Sequence, residues 1–353
     1  MATVRCISRA VILLLILMAP LCTPCCPAEP EAQREDASYI TTRRDAAIEF
    51  IKAMQMDDGS FVPGPWVPRA EVGPYWMMMT TWEAVRALHI LGALNAIDRE
   101  AVIEFLLRYY KNGGCLDPGD EADEAYQPGT LLHALRLLGA IGRVDRDEVV
   151  SFVLSMQNPD GGFRFQILDR SSSLLGTRKA IEALWAIGAL DVVDRAKVLS
   201  FMRSIYDNET GLFRNSPCGY HYDVTDLDHA VLTLYWLDAL DAFNWTKTIQ
   251  GLLTTWKDYF FICLGVMSDH LTTLYYIGAI DEIPQELRDK LISWILKCQS
   301  HINGGFVPKP GMANDERETS VSATSCAVEN LYYLGEVKLL YEPFEVEKKP
   351  TYY

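Results

Sequence analysis

Carboxylates and imidazoles concentrate in one stretch of this chain, Cys218-Gly219-Tyr220-His221-Tyr222-Asp223-Val224-Thr225-Asp226-Leu227-Asp228-His229. A second short run, Ser268-Asp269-His270, follows downstream, and together the two hold three of the six histidines. Carboxylate and imidazole are ligands for zinc, and a positioned carboxylic acid or imidazole moves protons. Asp226 and His229 stand three apart, a spacing that puts two side chains on one helix face. The cluster therefore reads as a metal or acid site. The alternative reading is structural. Thr225 or Asp226 caps a helix, first-turn carboxylates answer the helix dipole, and His229 is an ordinary helix residue.

Other candidate groups carry less. Asp117, Asp120, Glu121, Asp123 and Glu124 crowd one loop but lack the Asp-x-Asp-x-Asp-Gly order of a calcium loop, so they read as a solvated acidic loop. Arg164, Arg170 and the pair Arg178-Lys179 lie near the start of a helix, as an anion site or a solvent-facing charged turn. Gly114-Cys115-Leu116 does not continue into a thioester motif. No serine nucleophile elbow, phosphate loop or dinucleotide fingerprint is present.

The elements that must position these groups recur along the chain. Phe152–Gln157 reads as a helix end, followed by Asn158-Pro159-Asp160-Gly161-Gly162-Phe163, a glycine stop and an aromatic plug. Copies run from Phe50 into Asp58-Gly59-Ser60-Phe61, from Phe105 into Asn112-Gly113-Gly114-Cys115, from Phe201 into Thr210-Gly211-Leu212-Phe213, and from Trp294 into Asn303-Gly304-Gly305-Phe306. Gly251–Trp256 is a copy without the glycine stop. Such periodic self-similarity marks one supersecondary unit whose copies bury their apolar faces on one another. Each copy pairs two helices: 42–55 with 80–94, 99–110 with 130–141, 147–157 with 175–190, 196–206 with 226–240, 247–256 with 269–280, and 284–299 with 320–334. The second helices end alike, as in Leu88-His89-Ile90-Leu91-Gly92 and Leu331-Tyr332-Tyr333-Leu334-Gly335, where glycine suits a left-handed C-cap.

A helix ending in glutamine, then Asp-Gly-Gly-Phe, then a second apolar helix, six times over, resembles the repeat of protein prenyltransferase β subunits and of squalene and terpene cyclases. The resemblance covers roughly residues 40–340. It implies an all-α fold, an α/α toroid of six helical hairpins around a central apolar cavity, with the openings of the second helices converging on the cavity mouth. In the prenyltransferases an Asp-x-Cys pair opening a second helix, with a later histidine, holds zinc. Here Asp226-x-Asp228 stands in that place, the opening of the sixth repeat's second helix, Ser322-Ala323-Thr324-Ser325, offers no histidine, and His270 substitutes, giving Asp226, Asp228, His229 and His270 as the implied zinc ligands. The Arg-x-x-Lys element that grips diphosphate is missing. In the class II cyclases an Asp-x-Asp-Asp run supplies the acid that protonates an alkene, and Asp226-Leu227-Asp228-His229 resembles it, with Asp226 and Asp228 as the catalytic carboxylates.

Composition sets the remaining bounds. With 49% hydrophobic and 22% charged residues the chain is an ordinary globular protein with a large core. A net charge of −15 argues against nucleic acid as a partner. Arg5 and Arg9, the apolar run 10–21 and Cys26-Pro27-Ala28 follow the order of a secretory signal, so residues 1–28 are expected to be removed. The apolar run is short for a membrane span, and an uncleaved anchor is the alternative. Residues 29–41 are expected to be a flexible lead-in, 42–340 the toroid, and 341–353 a loose tail. Five cysteines remain after Ala28, which is no disulfide framework. Two functions follow as expectations: an exported prenyltransferase-like or cyclase-like enzyme holding an isoprenoid or other apolar chain, or a non-catalytic toroid outside the cytosol that binds a lipid, a peptide or another protein.

Overall fold

The structure, a computed structural model, describes residues 38–68, 71–116, 126–217, 219 and 226–350. The signal segment, most of the lead-in, the acidic loop 117–125, and Cys218 with Tyr220–Thr225 lie outside the described residues. Among the described residues twelve α-helices form six hairpins. The first helix of each is α1 (Arg43–Ala53), α3 (Arg99–Leu107), α5 (Arg146–Ser155), α7 (Arg195–Ile205), α9 (Thr246–Leu253) and α11 (Gln285–Lys297). The second is α2 (Pro74–Ile90), α4 (Gly129–Leu137), α6 (Leu174–Ala186), α8 (Leu227–Trp236), α10 (Leu264–Tyr276) and α12 (Val321–Tyr333). The second helices pack in sequence order, α2 on α4, then α6, α8, α10 and α12, and α12 returns to α2. They close a ring, and the first helices form its outer layer.

Burial separates the layers. In α11 only Leu291 and Ile295 are buried, an amphipathic stripe facing inward. In α6 nearly every residue is buried, as a helix covered on all sides must be. Asp98, Asp145 and Asp194 cap outer helices α3, α5 and α7 by accepting bonds from their first backbone N–H groups. At the other end, each inner helix stops at a residue with positive φ: Gly92, Gly139, Gly188, Asp238, Gly278 and Gly335. The next N–H reaches back five residues, Ala189 to Leu184 at 2.7 Å for example, which is the Schellman closure. Arginines at the start of the outer helices cover the freed carbonyls of their own hairpin: Arg44 on Leu91 and Arg99 on Leu138, each at 2.6 Å, with Arg195 on Asp238 and Arg288 on Leu334.

The repeated glycine turn is what joins neighbouring hairpins. Gly161 has φ +92, and a Cβ there would lie 2.1 Å from the Lys197 carbonyl oxygen on the next outer helix. Gly162 leaves room for the Phe201 ring, which a Cβ there would approach to 2.6 Å, as Gly114 does for Phe152. In the last hairpin Gly304 meets Ala46 and Gly305 meets Phe50, so the sixth turn packs on the first helix and completes the ring. The aromatic plug is fastened from behind. The N–H groups of Phe61, Phe163 and Phe306 donate to Thr81, Thr177 and Thr324 on the inner helices at 3.0–3.1 Å.

Several expected boundaries move. α2 begins at Pro74 and α10 at Leu264, earlier than the expected 80 and 269, because proline at the first turn starts a helix and the Leu264 N–H is already satisfied by Pro308. The tail is not loose. Strand β2 (Pro343–Val346) pairs antiparallel with β1 (Tyr39–Thr42), which also orders the end of the expected lead-in. Phe344 and Val346 are buried, and Phe344 stacks on His301 at 4.3 Å.

Candidate active site inside the ring

Asp226 immediately precedes α8, and Asp228 and His229 lie in that helix's first turn. Asp226 occupies the cap position but makes no side-chain capping bond. Its carboxylate instead stands 3.8 Å from His229 Nδ1, and Asp228 Oδ1 stands 2.9 Å from the same atom. These three side chains come together, half-buried. His270 enters from the adjacent helix α10. It is the seventh residue of that helix rather than its opening. Counted back from the capping residues Asp238 and Gly278, His270 takes the place of Ala230, and the other inner helices carry Ala84, Leu131, Ala180 and Ala327 there. That is a packing position, and the His270 ring is fully buried with Phe260 edge-on at 5.0 Å. Among the described residues no group of three or more His, Cys, Asp or Glu side chains stands in position to hold a metal ion. As placed, Asp226, Asp228 and His229 make an acid–imidazole cluster.

The same register exposes a second set of residues. Six positions before the caps stand Arg86, His133, Glu182, Leu232, Thr272 and Glu329, and nine positions before stand Glu83, Thr130, Lys179, His229, Asp269 and Cys326. Two contacts locate these layers in the interior. Lys179 on α6 lies 5.4 Å from the Trp82 ring on α2, and His133 on α4 lies 6.5 Å from the Trp236 ring on α8. Neither helix pair is adjacent, so both contacts cross the inside of the ring. The expected apolar interior is thus furnished with charge. Lys179 bridges Glu182 at 3.0 Å and donates to Thr130, and His133 Nδ1 meets the other Glu182 oxygen at 2.8 Å. Burial alone would raise the Glu182 carboxyl. Lys179, Arg178 and the His133 hydrogen bond together overcome that and hold it well below the usual carboxylate range. Arg178 and Lys179 are buried mid-ring, at 7% and 4% exposure, and form neither a solvent-facing turn nor a helix-start anion site. On the far side Arg86 pairs with Glu329 at 2.9 Å, Tyr333 donates to Glu329, and Ser322 donates to Glu83.

Toward the C-terminal ends of the inner helices the lining turns aromatic. Trp185 and Trp236 stack at 5.4 Å. Tyr276 lies 4.6 Å from Tyr235, and Tyr333 lies 4.9 Å from Tyr275. Burial pushes the Tyr276 and Tyr333 hydroxyls up, so both stay protonated. Two surface clefts, of about 420 and 500 Å³, lie on the outer helices away from these groups.

The comparisons with known proteins agree on the architecture. Three of the most similar solved structures are Candida albicans protein geranylgeranyltransferase-I complexed with GGPP (13% identity, 75% of this chain and 86% of that one, TM-score 0.60), the type II terpene cyclase MstE from Scytonema (14%, 84% and 97%, 0.55), and a family 76 glycoside hydrolase, a mannosidase, from Bacteroides thetaiotaomicron (9%, 84% and 98%, 0.54). Identities this low show the fold alone. Among curated proteins no relative matches. The sequence matches the prenyltransferase alpha-alpha toroid domain over residues 33–125, 130–259 and 266–349, and the chain belongs to that family.

Proposed function

We propose that this protein takes an apolar, isoprenoid-like chain into its ring, outside the cytosol, and acts on it through the acid–imidazole group Asp226, Asp228 and His229. The observation that carries the reading is the graded lining. An aromatic wall, Trp185, Trp236, Tyr276 and Tyr333, lies beneath charged layers that include His229. Such a gradient suits an amphipathic ligand, since each methylene buried on the aromatic rings contributes about 0.8 kcal/mol and the polar end meets charge. Two similar structures hold geranylgeranyl compounds, GGPP in the transferase and geranylgeranyl dihydroxybenzoate in the cyclase, which supports the ligand class. In the acid–imidazole group, Asp228 and Asp226 set the orientation of His229, and whichever partner carries the proton delivers it to the bound chain. Export rests on the segment 1–28, and no described helix is long and apolar enough to cross a membrane.

Tryptophan fluorescence titrated with geranylgeraniol, together with native mass spectrometry of protein purified without detergent, tests the ligand. Saturable quenching that falls in Trp185→Ala is expected. No co-purified lipid and no saturable response would sink the reading. Asp228→Ala should keep binding and lose turnover. Equal handling of the chain by both proteins would leave a non-catalytic carrier, the second reading, which the export segment favours. Metal analysis of the same preparations decides the zinc question. Stoichiometric zinc lost in Asp228→Ala or His270→Ala makes the cluster a metal centre.

A further inference from the structure

The interior holds a second acid–base pair that the mouth cluster does not use. Glu182 is fully buried, while the His133 side chain keeps 18% exposure. An ionised carboxylate only accepts hydrogen bonds, so at 2.8 Å from Glu182 the Nδ1 atom of His133 carries the proton. The lone pair is then on Nε2, at the far side of the ring, and among the described residues Nε2 has no hydrogen-bond partner. Trp185 lies edge-on at 5.0 Å, and Trp82 at 6.3 Å and Trp236 at 6.5 Å complete an aromatic box drawn from three other inner helices. Lys179, at 3.0 Å from Glu182, keeps the carboxylate charged, which in turn fixes the imidazole tautomer. A carboxylate that orients an imidazole whose other nitrogen is left without a partner, in a ring surrounded by three indoles, is the arrangement of a general base.

We propose that His133 is a binding and proton-accepting residue for a hydroxyl-bearing apolar ligand held inside the ring. The ligand hydroxyl donates to Nε2. On transfer its O–H bond breaks, the electron pair stays on oxygen, an N–H bond forms at Nε2, and the imidazolium faces Glu182. The charged groups around it are Glu182, Lys179 and Arg178 from α6, Arg136 from α4, and Glu83 and Arg86 from α2. The site stands on the His133 geometry, apart from the mouth cluster; the ligand's apolar framework is taken from the function proposed above.

The test uses the purified chain with nitrogen-15 histidine. Long-range proton–nitrogen NMR, assigned by loss of signals in His133→Gln, should show the proton on Nδ1. Diethyl pyrocarbonate should modify His133 in the native protein, more slowly than the exposed His301. A proton on Nε2, or modification of His133 only in urea, overturns the proposal, and the modification, read by peptide mass spectrometry of the unaltered protein, needs no variant. Geranylgeraniol should protect His133 more than the corresponding hydrocarbon does. Equal protection by both overturns the hydroxyl recognition while leaving the ring's affinity for apolar chains intact.

Discussion

Arg86 on the first inner helix and Glu329 on the last form an ion pair of 2.9 Å across the seam that closes the ring. Both side chains are largely buried, the guanidinium also lies 4.3 Å over the Trp82 ring, and Glu329 accepts from Tyr333. Removing one partner leaves the other charged and desolvated. Glu329→Ala is therefore expected to cost about 3 kcal/mol in urea unfolding. Replacing both, as Arg86→Met with Glu329→Leu, should recover much of that loss, because an apolar pair of similar volume has no desolvation cost to meet. A double variant no better than the single one would mean the seam is held by its packing alone.

Glu182 makes stability pH-dependent, with a sign fixed by its environment. Its carboxyl is held well below the range of an unfolded glutamate, about 4.3. Its contribution is fully present above that unfolded value and is lost as the pH falls through the folded one. Glu182→Gln leaves Lys179 and Arg178 buried without their counter-charge, so a loss of about 3 kcal/mol is expected at neutral pH. The gap between wild type and variant should narrow as unfolding is measured at successively lower pH below 4. A gap that stays constant to pH 2 would show that the carboxylate is not what the cations need.

These charges were not legible in the sequence, and the reason is physical. On a single helix Arg178-Lys179 looks like a solvated turn, because charge and exposure go together on most helices. Only the six-fold register shows that they face inward. The repeat itself was legible, since glycine at φ +92 and a phenylalanine beside it are demanded by the next hairpin's backbone. The acid–imidazole turn was legible for the same kind of reason: Asp226, Asp228 and His229 are neighbours in sequence, so one helix turn suffices to join them. The position of His270 depended on where α10 begins, and Leu264-Gly265-Val266-Met267 carries no cap signal to announce it. β2 is only four residues long and finds its partner at the opposite end of the chain, so local pattern could not reveal it.

The two classes of positive-φ glycine should respond differently to alanine. At Gly161 a new Cβ would meet the Lys197 backbone at 2.1 Å, and neither strand of backbone is free to yield. At Gly188, with φ +68, nothing lies within 4 Å. Gly188→Ala should cost about 1–2 kcal/mol, the left-handed penalty alone. Gly161→Ala adds a steric clash of about 1–3 kcal/mol and should loosen the contact between the third and fourth hairpins. Urea denaturation compares the two, and equal costs would remove the role given to the glycine turn in joining hairpins.

The fourth inner helix ends on Asp238 at φ +52, where the other five end on glycine. Two terms oppose the aspartate: the left-handed backbone, about 1 kcal/mol, and a carboxylate at the negative end of a helix dipole, about 0.3–1 kcal/mol. The glycine replacement also frees the unfolded chain, which takes back about 0.5–1 kcal/mol. Asp238→Gly is therefore expected to stabilise the protein by a net of about 0.5–1 kcal/mol. Asp238→Asn removes only the charge and should gain less, and its gain should fade as salt screens the dipole. The Arg195 bond reaches the backbone carbonyl of residue 238 and survives either change. An Asp238→Gly variant less stable than wild type would mean that the carboxylate itself holds the end of this hairpin in place.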